Sequence, residues 1–278
     1  MQLSHTSPVV SATFDEPNLV SAAGLVPLMA LAQQAGLRQL GDEHLSVPSD
    51  KGSNGGLKLA ALVAGMAAGA DSIDDMALLR HGGMGKIFDR PYAPSTLGSF
   101  LRKFTFGHVR QADAIASRFL RNLAEHTEIL GREGDRGTVM VDLDDTIVAV
   151  HGYHKQGAGF GYSGVRGLNA LLATVSTEQI APVIAAQRLR KGSAGSPHGA
   201  ARLATDALAL IRRSHLTGRD VLVRADSAFY SHALVPAAIK AGANVSVTVR
   251  MDPAVKRAIA GIAADAWTTI KYTDAVYD

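Results

Sequence analysis

Cysteine is absent from the 278 residues. That excludes a disulfide framework, a cysteine nucleophile and any thiolate zinc site. Long apolar runs are lacking too. The longest uncharged one, Leu59 to Ala70 (LAALVAGMAAGA), falls well short of the roughly 20 residues that span a bilayer, so no membrane partner is expected. The opening residues, MQLSHTSPVVSATFDEP, show no basic start followed by an apolar core, and no secretory leader is expected. Neither a leucine heptad nor a zinc-finger spacing occurs. A cytoplasmic chain fits these absences.

What is present is globular in composition: 47% apolar and 19% charged residues. The length suffices for two modest domains, each with its own core. Net charge is only +3 but unevenly spread. Residues 1–50 carry Arg38 against five acids, whereas residues 186–224 carry eight basic residues against Asp206 and Asp220. Such a basic block suits a polyanion such as nucleic acid, but on charge alone a solvated helix and loop surface fits better.

The first half has a helical grammar. AGLVPLMALAQQAGLRQLGDEHL repeats apolar residues at three and four. KLAALVAGMAAGADSIDDMALLRHGG reads as two short helices, APSTLGSFLRKFTFG as a helix capped by Ser95, and HVRQADAIASRFLRNLAEHTEIL as a long amphipathic one. PSTLGSFLRKF has the form of a helix-turn-helix reading helix, or of a packing or dimer contact. The polar breaker GREGDRG (131–137) marks a boundary between a helical region, 1–130, and a second domain, 137–278.

After the breaker, residues 138–150 read as a strand, followed by a glycine-rich stretch with six glycines from Gly152 to Gly167. Then come strand, strand, helix, strand, helix, strand. Three consecutive strands imply an antiparallel meander, and the later alternation implies parallel strands with helical crossovers. The expected fold class is α/β (α+β): a ribonuclease H-like mixed five-stranded sheet with flanking helices, preceded by a helical N-terminal domain.

The segment TVMVDLDDTIVAV sets three aspartates in an apolar strand. Side chains alternate across a strand, so Asp142, Asp144 and Thr146 share one face and Asp145 takes the other. Unpaired buried carboxylates are costly, so these acids call for cations or donors. Asp145 reads as a residue that meets solvent or a cap. Asp226, in DVLVRADSAFYS, ends a second apolar strand. In a ribonuclease H-like sheet the first and fourth strands are neighbours, so Asp144 and Asp226 converge there and can hold divalent ions for an in-line displacement at a phosphodiester. A competing reading takes DLDDT as the D-x-D-x-T pattern of haloacid-dehalogenase-like phosphatases, with Asp142 as nucleophile and Asp144 as general acid. The later lysine and second acidic cluster of that pattern are hard to place. Around the acids, Lys155 beside His154 and the strand-ending Arg188, Arg190 and Lys191 are candidates for phosphate contacts. Tyr153, Phe160 and Tyr162 read as aromatic cross-strand packing before base stacking.

Three stretches, VDLDDTIVAVHGYHKQGAGFGYSGVRGLNALLA, APVIAAQRLRKGSAGSPHGA and VLVRADSAFY, resemble the transposases of 1380-type insertion sequences, which are of the DDE class. The resemblance covers roughly residues 20–278. It implies a ribonuclease H-like catalytic domain, cut-and-paste strand transfer, two Mg2+ (or Mn2+) ions, and binding to inverted terminal repeats and target double-stranded DNA as a homodimer at the nucleoid. On this match Asp144 and Asp226 are the first two catalytic acids and metal ligands. The family's catalytic glutamate lies on a later helix, yet no glutamate follows Glu178 in this sequence. Asp252, Asp265, Asp274 and Asp278 follow without a clear helix in the right place. A truncated copy that does not transpose DNA by itself is therefore expected; a non-catalytic DNA-binding remnant is the other form this reading takes.

Overall fold

The computed structural model describes residues 16–48, 50–89, 91–152 and 154–269. Two compact units are present: residues up to 135 together with 210–217, and residues 136–209 together with those from 218 onward.

The first unit carries α1 (Leu25–Gln34), α2 (Leu37–His44), α3 (Gly55–Ala67), α4 (Pro94–Leu101) and α5 (Phe106–His126). The periodic run expected as one amphipathic stretch becomes two helices, because the chain turns at Ala35-Gly36. α4 starts at Pro94 with Ala93 as N-cap, so Ser95 lies inside the helix and does not cap it. Proline suits that first position because its missing N–H has no helical partner there anyway. α5 begins with a capping box in which the Thr105 N–H donates to Nδ1 of His108 at 2.9 Å. Two apolar clusters form the core. One gathers Leu25, Ala64, Met76, Leu79, Met84 and Leu97; the other Leu40, Leu45, Val47, Phe100 and Ile115. α4 feeds both, through Leu97 and Phe100. Lys58 is buried, and its ammonium donates to the carbonyls of Lys51 (2.7 Å) and Ser53 (2.6 Å), closing the loop before α3.

The second unit holds β1 (Val139–Ala149), β2 (Gly159–Phe160), β3 (Arg166–Ser176), β4 (Val183–Lys191), β5 (Val221–Ala225) and β6 (Asn244–Val247). Its helices are α6 (Ala200–Ile211), α7 (Leu234–Lys240) and α8 (Pro253–Ala260). The spatial order is β4-β3-β1-β5-β6, with β2 pairing the start of β3. β1–β3 and β3–β4 are antiparallel; β1–β5 and β5–β6 are parallel. This meander followed by crossovers is a mixed sheet consistent with a ribonuclease H-like DDE fold. It differs from the five-strand expectation by the two-residue β2, which the glycine-rich stretch contributes.

One sheet face is covered. Val139, Val141, Leu143, Leu171, Ala173, Val175, Val221 and Val223 lie on it and are buried. α6 sits against this face, where its Asp206 meets Arg188 of β4 at 3.2 Å. The opposite face, with Leu168, Leu172, Leu189 and Leu222, is only half-buried, and it carries Asp142 and Asp144.

Candidate functional site

The alternation along β1 sorts its three aspartates. Val139, Val141 and Leu143 are buried, Asp142 is half-buried between them on the other face, and Asp144 is exposed. β1 and β5 run parallel with Asp142 opposite Arg224 and Leu143 opposite Ala225. The next step of that register sets Asp144 beside Asp226, just past the last paired residues. Because Asp142 and Arg224 share a face, Asp144 and Asp226, each two residues on, share it as well. Asp226 follows β5 in extended backbone and accepts the Ala228 N–H at 2.9 Å, starting a short turn over 227–229. Asp144 accepts the Asp145 N–H at 2.8 Å through one oxygen. Each carboxylate thus keeps an oxygen beyond its local hydrogen bond, where β5 ends beside the middle of β1.

Asp142 is engaged. The Arg224 guanidinium grips it through Nε to Oδ1 (2.6 Å) and Nη2 to Oδ2 (2.8 Å), a parallel two-bond fork. Its hydrogen bond to the Asp142 carboxylate raises the Arg224 pKa above its ordinary value. A carboxylate held this way in mid-strand is poorly placed to attack a phosphate.

Asp145 is not the solvent-facing or capping residue expected. It lies on the covered face, and its carboxylate pairs with Arg190 Nη2 at 2.6 Å and accepts from Asn169 Nδ2 at 3.1 Å. Arg190 is also not the DNA-tracking residue expected. It is buried, and its guanidinium donates to Asn169, to the carbonyls of Gly195 (3.1 Å) and Ser196 (3.2 Å), and to that of His198. Burial lowers its pKa below the ordinary value, while the Asp145 charge and hydrogen bond pull the other way. The reason is register: Arg190 stands opposite Asn169, and Asn169 belongs to the buried row of β3. Arg188 shares that side and pairs with Asp206. Lys191, one residue on, takes the open face with Asp144 and is exposed, as is Lys155 in the loop after His154. Tyr153 lies outside the described residues.

Asp144 and Asp226 are hard oxygen donors on adjacent strands, a set that fits a divalent cation held by one or two carboxylates and completed by water. Among the described residues no group of three acids or histidines is arranged to hold a metal. Asp252 is committed to capping α8, accepting from Ala254 and Val255, and Asp265 stands exposed in the turn 264–266. Asp274 and Asp278 lie outside the described residues. The partners missed by sequence reasoning are Arg224 and Asn169. Arg224 had a signal: it precedes Asp226 by two residues, as Asp142 precedes Asp144.

No helix among the described residues is long and apolar enough to cross a membrane. No curated protein and no solved structure matches the chain. A family model does, over residues 3–277, and it is described as transposase DDE domain group 1. That family acts in DNA transposition, binds DNA and generally uses divalent metal ions. With one acid in mid-β1 and another just past the end of β5 on a mixed sheet, and a match across nearly its whole length, the chain belongs to the DDE transposases.

Proposed function

We propose that the chain is a cut-and-paste transposase of the 1380-type insertion-sequence kind, working as a homodimer on inverted terminal repeats and target DNA at the nucleoid. The observation that carries the reading is the register of β1 and β5, which sets Asp144 beside Asp226 on an open face while Arg224 occupies Asp142. Asp144 and Asp226 hold divalent ions, Mg2+ or Mn2+ and two in a complete site. Such ions activate a water or a 3′-hydroxyl and stabilise the leaving oxygen of a phosphodiester. The chain's own groups do the placing. The two carboxylates fix where the scissile phosphate sits, and Lys155 and Lys191, exposed beside the glycine-rich stretch, position the backbone without reading its sequence. Arg188 and Arg190 are committed to Asp206 and Asp145 and serve the sheet.

Among the described residues no third acid joins this pair, and no DNA cutting is expected of the 278 residues alone. Mn2+ titration tests the pair separately from cleavage. Binding weakened at least about tenfold by either Asp144→Asn or Asp226→Asn is expected, with no strand cleavage at the terminal repeats flanking its own gene. Unchanged Mn2+ affinity in both variants would remove the proposed site. Robust cleavage lost in Asp226→Ala would overturn the claim of inactivity while upholding the site.

A further inference from the structure

We propose that Phe160 and Tyr162 form a platform on which unpaired bases of the processed DNA strand stack, an inference that rests on the transposase reading. The segment is Gly159-Phe160-Gly161-Tyr162. Cross-strand packing, the ordinary fate of such rings, does not occur here. Phe160 is 67% exposed and Tyr162 is wholly exposed. Among the described residues the ring–ring contacts involve only Phe100, Phe104 and His108, all in the other unit. Two large rings held in water leave apolar ring faces open to a partner.

The backbone around the rings is closely packed. Gly161 packs so closely that a Cβ there would collide with the Gly192 carbonyl, and one on Gly192 would collide with the carbonyls of Gly167 and Gly159. The Gly192 N–H donates to the Gly157 carbonyl at 3.0 Å, and Arg166, opposite Phe160, donates to the Gly152 carbonyl at 2.6 Å. The rings are therefore flanked by closely packed, hydrogen-bonded backbone.

The position of Phe160 fits a strand leaving the acid pair, and Tyr162 follows in the turn after β2. Asp144 stands opposite Leu172 of β3, Lys191 opposite Leu168, and Phe160 opposite Arg166. All three β3 positions are even-numbered, so Asp144, Lys191 and Phe160 share the open face. Six residues separate the rows of Asp144 and Phe160, about 20 Å along the strands. That is about six base steps of duplex, or fewer nucleotides of stretched single strand, with Lys191 in between. The charge agrees. On the open face or in the loop around Phe160 stand Lys191, Arg166 opposite Phe160, and the exposed Lys155. Rings set among cations suit nucleic acid, since every base offers a π-face and the strand brings phosphates. Nucleic acid is favoured over a protein partner by the cations Lys191, Arg166 and Lys155 around Phe160.

The test measures anisotropy of a labelled oligothymidylate of about 20 nucleotides, and of a duplex of equal length, with the full chain across a salt series. Phe160→Ala and Tyr162→Ala are each expected to weaken single-strand binding about tenfold, with duplex affinity within about twofold and the salt slope unchanged. Phe160→Trp is expected to restore it. Lys191→Ala is expected instead to lower the single-strand salt slope by about 0.7. If both aromatic variants bind oligothymidylate like the parent while duplex is still bound, the platform is refuted and the transposase reading stands. Loss of self-association in the variants with no change in DNA affinity refutes it in favour of a protein contact. A chain that binds neither DNA overturns both.

Discussion

Replacing Arg190 with methionine isolates the buried network beneath the acid pair. The Arg190 side chain is 4% exposed and its partner Asp145 18%. Removing the guanidinium strands a largely buried carboxylate, the Asn169 amide oxygen, and three carbonyls from the 195–198 loop. Breaking one side of such a pair costs about 3–5 kcal/mol, most of it the penalty on the charge left behind. The double variant Asp145→Leu/Arg190→Met removes that charge as well, and an apolar replacement of a buried ion pair is often neutral. More than half of the loss is therefore expected to return. Urea unfolding followed by circular dichroism gives the energies, and hydrogen exchange at β1 and β4 amides shows whether the loss is centred there. The reasoning fails if Arg190→Met costs less than about 1 kcal/mol. It fails equally if the variant keeps its stability and loses DNA affinity, as a phosphate-contacting arginine would.

Asp142→Asn tests the Arg224 grip: it frees a positive charge about 7 Å from the acid pair, worth roughly 0.6 kcal/mol per unit charge in water. Mn2+ binding is expected to weaken a few-fold and to recover in Asp142→Asn/Arg224→Gln; no recovery would mean that Asp142 acts in some other way. In the helical unit, Lys58→Met is expected to cost about 2 kcal/mol, because the Lys51 and Ser53 carbonyls lose a charged donor. Exchange protection in residues 50–54 reports that loss, and unchanged protection would contradict it.

The second unit was legible because its signals are local. Period-two alternation assigned Asp142 and Asp144 to one side of β1, and the succession of strands and helices carried the meander and crossovers of the mixed sheet. What could not be read depends on register between distant strands. Arg190 and Asp145 are 45 residues apart, and only the pairing of β4 with β3 tells that Arg190 turns inward while Lys191 turns outward. Arg224 and Asp142 are 82 residues apart. The glycine-rich stretch carries no strand signal, yet its close backbone contacts make room for β2, and propensity carries no record of such contacts. In the helical half, periodicity carried across the turn at Ala35-Gly36, since both α1 and α2 keep an apolar side.

The segment Gly159-Phe160-Gly161-Tyr162 divides two kinds of constraint between alternate residues. At Gly161, as at Gly192, any missense change adds a Cβ where backbone already stands, so the fold itself polices those sites. At Phe160 and Tyr162 the side chains touch almost nothing of their own chain, so folding is indifferent to what replaces them. Copies of this gene drifting without use would keep the glycines only as long as the sheet must fold, and would lose the rings first. Copies still under selection for handling DNA would hold both.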